Sequence, residues 1–220
     1  MSQSRVLVKV CGVTSVEDAA ACAELGADCI GLNFHPGSPR FVTEERAAEI
    51  VKALPESTRA VGVFVDRSPA EVARIADGVG LKIVQLHGDE PPEDLLELGR
   101  FQVIRAFRPR PEEGWRRVGE HLLRLVALGR PPWAILIDTF VPGAVGGTGR
   151  LIDPRLLASW IDHPQVILAG GLNPANVAGR IAQVRPWMVD VASGVESQPG
   201  RKDRGAVAAF IRAARPTPPG

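Results

Sequence analysis

One arrangement recurs from end to end of this chain: a short apolar run, a few glycine or polar residues, then a segment with helical periodicity. The apolar runs are Val6–Gly12, Asp28–Phe34, Ala60–Val65, Lys82–Gly88, Phe101–Phe107, Trp133–Thr139, Val166–Gly171 and Met188–Gly194. Consecutive β-branched and apolar residues of this kind suit strands buried on both faces of a parallel sheet. Eight such strands alternating with helices predict an α/β fold, a single (β/α)8 TIM barrel. An open doubly wound sheet is the alternative, but it usually has fewer strands. The 220 residues fit one barrel at the compact end of its range, roughly 200 to 400 residues. No linker-like stretch divides the chain, so residues 1–215 read as one domain and 216–220 (PTPPG) as a disordered tail.

The segments between the runs carry helix-start chemistry. Ser68-Pro69-Ala70-Glu71 offers an N-cap serine, a proline at the first helical position and a glutamate at the third. Asp153-Pro154 and Asn173-Pro174 repeat the cap-then-proline signature. Glu44 to Leu54 and Ala70 to Ala76 combine good helix formers with an apolar stripe.

Charge and cysteine content exclude several function classes. The formal net charge is only +1, with Lys and Arg scattered, so neither a nucleic-acid groove nor a polybasic membrane patch is indicated. The three cysteines, Cys11, Cys22 and Cys29, form neither a disulfide framework nor a zinc pattern with the four histidines. The N-terminal apolar run is short and interrupted by Lys9, unlike a signal peptide, and no apolar stretch is long enough to span a bilayer. The expectation is a soluble, cytoplasmic protein.

A barrel of this type carries its chemistry where strands end and βα loops begin. That rule singles out Cys11, Asn33, Asp66, His87, Arg105, Asp138, Gly170, Gly171 and Ser193. Cys11 is either a buried inert thiol, the common state of free cysteine, or a reactive one at the catalytic mouth. Asp138, after the apolar Ala134–Ile137, is either a capping carboxylate or a desolvated general acid. Glycine-containing turns follow the seventh and eighth runs, at Gly170-Gly171 and at Ala192-Ser193-Gly194. Barrels often bind phosphate with these two loops, although glycine also serves simply for tight turns. Arg40, in the loop after the second run, has a fork suited to a carboxylate, or is a solvated surface residue. His87 either donates to a ligand or bonds a neighbouring strand. The glycine-rich stretch 142–149 suits a mobile cover or an ordinary connection.

The ordered set of local motifs resembles one family. Lys9-Val10-Cys11-Gly12-Val13-Thr14, Ser38-Pro39-Arg40, Val84-Gln85-Leu86-His87-Gly88-Asp89-Glu90, Gly146-Gly147-Thr148-Gly149, Leu168-Ala169-Gly170-Gly171-Leu172 and Val189-Asp190-Val191-Ala192-Ser193-Gly194-Val195-Glu196 are similar to motifs of phosphoribosylanthranilate isomerases, in family order. The resemblance implies a phosphate-binding barrel and an Amadori rearrangement of an aminoaldose to an aminoketose in tryptophan biosynthesis. It also implies a small-molecule substrate, no metal or other cofactor, and either a monomer or a homodimer. Carried onto matching positions, Cys11 becomes the general base and Asp138 the general acid. Arg40 holds the anthranilate carboxylate, Gly170, Gly171, Ala192, Ser193 and Gly194 the phosphate, and His87 and Asp190 contact the sugar. Free aspartate titrates near ~3.9 and cysteine near ~8.5, so both need tuning. Apolar surroundings are expected to raise Asp138, and Lys9 (on the same strand face as Cys11) or the cationic intermediate to favour thiolate. The insert Thr139–Pro142 between Asp138 and the glycines is longer than the family pattern. The rival assignments are a pentose-phosphate epimerase, which would want metal ligands, a histidine-pathway isomerase, which would carry aspartate in place of Cys11, and a non-catalytic ligand-binding barrel.

Overall fold

The computed structural model describes residues 5–109, 113–138 and 165–215. Eight parallel strands, β1 (Leu7–Cys11), β2 (Cys29–Asn33), β3 (Arg59–Phe64), β4 (Ile83–Leu86), β5 (Gln102–Phe107), β6 (Ala134–Asp138), β7 (Val166–Ala169) and β8 (Met188–Val191), close into a barrel. Closure is made by β8 returning to β1, with Lys9 opposite Asp190 and Val10 opposite Val191. Seven strands lie within the apolar runs read for them and β3 starts one residue earlier, at the exposed Arg59, because the runs mark where both faces are covered.

Side-chain parity divides two cores. Cys29, Val61, Ile83, Ile104, Leu136, Ile167 and Met188 fill the barrel interior. The alternate residues, such as Val8, Val10, Ile30, Leu32, Val84, Leu86, Ile135 and Ile137, pack outward against the helices. At the N-terminal end of the strands Trp133 and Trp187 meet edge to face, with ring centroids 5.2 Å apart, and Arg59 stacks over Trp133. That end is plugged, which leaves chemistry to the other.

The helices among the described residues are α1 (Val16–Glu24), α2 (Glu44–Ala53), α3 (Pro69–Val79), α4 (Asp94–Glu97), α5 (Glu113–Ala127), α6 (Val177–Val184) and α7 (Arg204–Ala214). The sequence signals at α3 form a complete capping box, Ser68 and Glu71 satisfying each other's backbone N–H groups, and Gly80 ends the helix in the left-handed region. Asn173 accepts from the N–H groups of Ala175 and Asn176, as a cap would, but the regular helix α6 begins only at Val177. α4 is a single turn, much shorter than the repeat suggested. After β8 comes a 3-10 turn (Ser193–Val195) and a small hairpin, β9 (Glu196–Gln198) with β10 (Arg201–Lys202), which the simple alternation did not announce. The cap at Asp153-Pro154, the glycine-rich stretch 142–149 and the tail 216–220 lie outside the described residues. Among the described residues no helix is long and apolar enough to cross a membrane.

Candidate active site

At the C-terminal end of β1 two interior side chains stand together. Lys9 is fully buried, and its Nζ donates to Asp190 Oδ1 on the adjoining β8 at 3.0 Å. Cys11 follows one interior position later. What makes room for both is Gly31 on β2, directly opposite Cys11 in register. A Cβ there would lie 2.7 Å from Cys11 Sγ and 3.1 Å from Lys9 Nζ, so only glycine admits the thiol and the ammonium side by side.

The electrostatics differ from the expectation of a resting thiolate. Burial pushes the Cys11 thiol up, and this exceeds the opposing pull of Lys9; Asp190 adds to the rise, and Lys202 lowers it. Lys9 acts in the direction anticipated, but desolvation wins, and the thiol form is favoured. Lys9 itself stays charged. Burial works against its ammonium, yet Asp190 and Cys11 together hold it above the ordinary lysine value. Cys22 and Cys29 are buried structural thiols, pushed up by burial to about 12 and about 11.

Asp138 closes β6 with the inward parity of Ala134 and Leu136. Its surroundings are not purely apolar: the side chain is partly exposed, and Arg108 Nε approaches Oδ2 at 3.7 Å. Sequence reading ended strand 5 with Arg105 as a mouth residue. Arg105 instead has the outward parity of β5. It is buried beside Glu90 and donates to the carbonyls of Leu86, Gly88, Glu90 and Ala106, where it braces the βα4 loop. From this strand it is Arg108, two residues beyond Ala106 in the interior row, that approaches Asp138 at the mouth.

His87, just past β4, gives its backbone N–H to the Phe64 carbonyl of β3 at 2.9 Å, while its ring turns to its own strand. Its Nδ1 accepts from Gln85 Nε2 at 2.6 Å. Burial, with Arg108, Lys9 and Arg105 adding to it, lowers its pKa to about 3, so the ring is neutral. With Nδ1 as acceptor, Nε2 carries the proton and is the available donor. Asn33 and Asp66 have local duties. Asn33 ties His35 N and Ser38 Oγ of its own loop, while Asp66, at φ 49°, accepts from Asp89 N across two loops.

The two glycine turns lie against each other. Gly170 and Gly171 adopt φ of 97° and 64°, so the chain turns there in a way other residues resist. A Cβ on Gly194 would overlap the Leu172 carbonyl oxygen, so the turn after β8 packs directly on the turn after β7. The 3-10 turn beginning at Ser193 is too short to pair its first N–H groups internally.

Arg40 is brought to the same end from the β2 loop. Its stem lies across Gly12, and its fork grips Glu196, Nε to Oε1 at 2.9 Å and Nη2 to Oε2 at 2.6 Å. Glu196 also accepts from Lys202 Nζ at 2.7 Å. Neither Glu196 nor Lys202 was singled out from sequence as a site residue; the one available sign was that Glu196 closes the eighth motif. Among the described residues no group of three or more His, Cys, Asp or Glu side chains is placed to hold a metal ion.

Comparison with known proteins accords with this geometry. The profile of the family described as N-(5'phosphoribosyl)anthranilate (PRA) isomerase matches residues 8–213. An N-(5'-phosphoribosyl)anthranilate isomerase of Pseudomonas syringae pv. tomato is 45% identical over 214 residues, covering 97% of this chain and 100% of its own. A crystal structure of monomers generated from the dimeric phosphoribosylanthranilate isomerase of Thermotoga maritima superposes with a TM-score of 0.78. It is 37% identical, and the match covers 95% of this chain and 98% of that one. A phosphoribosyl anthranilate isomerase in complex with reduced 1-(o-carboxyphenylamino)-1-deoxyribulose 5-phosphate gives a TM-score of 0.79. There the identity is 38%, with the same 95% and 98% coverage. A closed eight-stranded barrel with its polar groups gathered at one end, matched by the family profile over nearly its whole length, belongs to the N-(5'-phosphoribosyl)anthranilate isomerase family.

Proposed function

We propose that this chain isomerises N-(5-phosphoribosyl)anthranilate to 1-(2-carboxyphenylamino)-1-deoxyribulose 5-phosphate, with Asp138 as general acid and Cys11 as general base. The observation that supports it most is placement. Cys11 and Asp138 end β1 and β6 with inward parity, at the rim where the β7 and β8 glycine turns also lie.

Asp138 gives its proton to the furanose oxygen as the C1′–O bond breaks, and the substrate nitrogen's lone pair forms the C1′=N bond of an iminium cation. Cys11 then removes the C2′ proton; the C–H electron pair forms the C1′=C2′ bond, and the C=N pair returns to nitrogen. The resulting enolamine tautomerises to the ketone. One proton passes from Asp138 to the substrate and one from the substrate to Cys11. With Cys11 a thiol again, the enzyme resets when the Asp138 carboxylate takes back from solvent the proton that the thiol had released to it. Because the substrate's own nitrogen takes up the electrons, the scheme calls on no cofactor.

The environment of these groups fits the order of steps. A thiol held up by burial is by itself a poor base. The iminium supplies the missing positive charge beside Cys11, so the thiol releases its proton to solvent and stands as thiolate when it is needed. Neutral His87 donates from Nε2 to a sugar oxygen, and Asp190 keeps Oδ2 for a hydroxyl while Oδ1 holds Lys9. The turns at Gly170-Gly171 and Ala192-Ser193-Gly194 receive the phosphate through backbone N–H groups. Arg40 receives the anthranilate carboxylate.

The test is turnover of the purified protein, followed by loss of substrate fluorescence. Cys11→Ser and Asp138→Asn are each expected to lower kcat by about 10²- to 10⁴-fold with melting close to wild type. A wild-type kcat from either variant removes that residue from the mechanism.

A further inference from the structure

The contact between Arg40 and Glu196 poses a question for the reading just given. An arginine already gripped by a carboxylate appears spent as a receptor for another. The charges around it show otherwise. Glu196 is almost fully buried, with 4% of its side chain exposed, and it serves two cations, Arg40 and Lys202. Three groups therefore carry one net positive charge in a place largely closed to water. Lys202 is as buried as Glu196, and its three N–H donors are all engaged, with Glu196 Oε1 at 2.7 Å, Cys11 O at 2.6 Å and Ala192 O at 3.4 Å. Only Arg40 has a substantial open side, with 22% of its side chain exposed. Its bonds to Glu196 use Nε and Nη2, and Nη1 has no hydrogen-bond partner among the described residues, so a donor remains for a second anion.

We infer that Glu196, anchored by Lys202, is a positioning residue for recognition of the substrate's carboxylate: it fixes the Arg40 fork with Nη1 presented, and Lys202 supplies the surplus charge that keeps the fork attractive to an anion. This rests on the assignment of Arg40 to the anthranilate carboxylate. Two features of the geometry support it. The same ammonium bonds the carbonyl of Cys11 and that of Ala192, so the carboxylate receptor is keyed to the base-bearing strand end and to the proposed phosphate turn. The stem of Arg40 is laid over Gly12, next to Cys11, so its path is set at both ends. A fork held in place beforehand loses less side-chain freedom on binding, which is how a buried partner that never touches the ligand raises affinity.

The experiment measures equilibrium binding of two ligands by calorimetry: 1-(2-carboxyphenylamino)-1-deoxyribulose 5-phosphate and its carboxyl-free counterpart, 1-phenylamino-1-deoxyribulose 5-phosphate. Wild type is expected to prefer the carboxylated ligand by about tenfold or more, the range of a charge-assisted contact. Glu196→Gln is expected to remove most of that preference while the carboxyl-free ligand binds within about twofold of wild type, which also reports an intact fold. Glu196→Asp, which keeps the charge but withdraws it by one methylene, should fall between. Arg40→Met is measured alongside. If Arg40→Met loses the preference and Glu196→Gln retains or strengthens it, the positioning role is wrong and the Arg40 assignment stands. Equal weakening of both ligands in Glu196→Gln marks a merely structural residue and likewise overturns the proposal. If Arg40→Met keeps the preference, the Arg40 assignment itself fails and takes the proposal with it.

Discussion

Replacing Asp190 by asparagine removes the counter-ion of a lysine that has no access to water. Lys9 is 0% exposed, and its ammonium persists because Asp190 Oδ1 lies 3.0 Å away. Without that charge desolvation acts nearly unopposed, and buried lysines in such surroundings fall by up to 3–5 pKa units. A fall of about 3 units corresponds to about 4 kcal/mol. This agrees with the roughly 3–5 kcal/mol lost when one partner of a buried pair is removed.

The pH dependence gives the reasoning a sign. In wild type the folded-state lysine lies above its unfolded value, so its stabilisation is complete below the unfolded pKa of ~10.4 and is lost only above that. In Asp190→Asn the order reverses. Over the window between the lowered folded value and ~10.4 the unfolded chain binds one more proton than the native one. Stability then rises with pH, by about 1.4 kcal/mol per unit for full release of one proton. Urea unfolding of both proteins at pH 6, 7.5 and 9 measures this. A difference that is greatest at pH 6 and shrinks toward pH 9 is expected. A loss below about 1 kcal/mol, or one independent of pH, would refute the account of Lys9 as a charge stabilised by Asp190.

Three further outcomes follow from the same site. Gly31→Ala should cost about 1–3 kcal/mol by overpacking and depress kcat as well, because the new methyl must displace Cys11 Sγ or Lys9 Nζ; a neutral variant would show that the strand yields freely. The imidazole of His87, with its pKa lowered to about 3, should remain neutral by NMR from pH 8 to below pH 5, and its share of stability should decline as pH falls from about 6.5 toward about 3; titration near pH 6.5 contradicts the neutral-donor role. Gly194→Ala forces apart the turns after β7 and β8, so affinity for inorganic phosphate as an inhibitor should drop about tenfold or more, and unchanged inhibition would place the phosphate elsewhere.

Much of this protein is local and was therefore legible in its residues. Eight apolar runs identify strands covered on both faces, because burial on two sides requires hydrophobic residues at consecutive positions. Ser68 to Glu71 contain a complete capping box within four residues, and the structure realises it. The positions of Cys11, Asp138 and the two glycine turns follow from strand ends alone, since a parallel barrel gathers those ends on one rim. The family was legible through the order of short motifs, each confined to one strand and its loop.

What only the tertiary structure decided is partnership and the balance of opposed terms. Lys9 and Asp190 are 181 residues apart, Arg40 and Glu196 are 156 apart, and Lys202 reaches the Cys11 carbonyl across 191. These pairs exist because β8 closes on β1, and no periodicity within either segment encodes a neighbour that distant. Arg105 faces the helices rather than the mouth because its parity on β5 depends on where pairing starts and ends, a matter of a single residue. The state of Cys11 turns on burial outweighing Lys9. Sequence names the charges near a thiol, but the depth at which the fold sets that thiol, and hence which influence prevails, is a property of the assembled barrel.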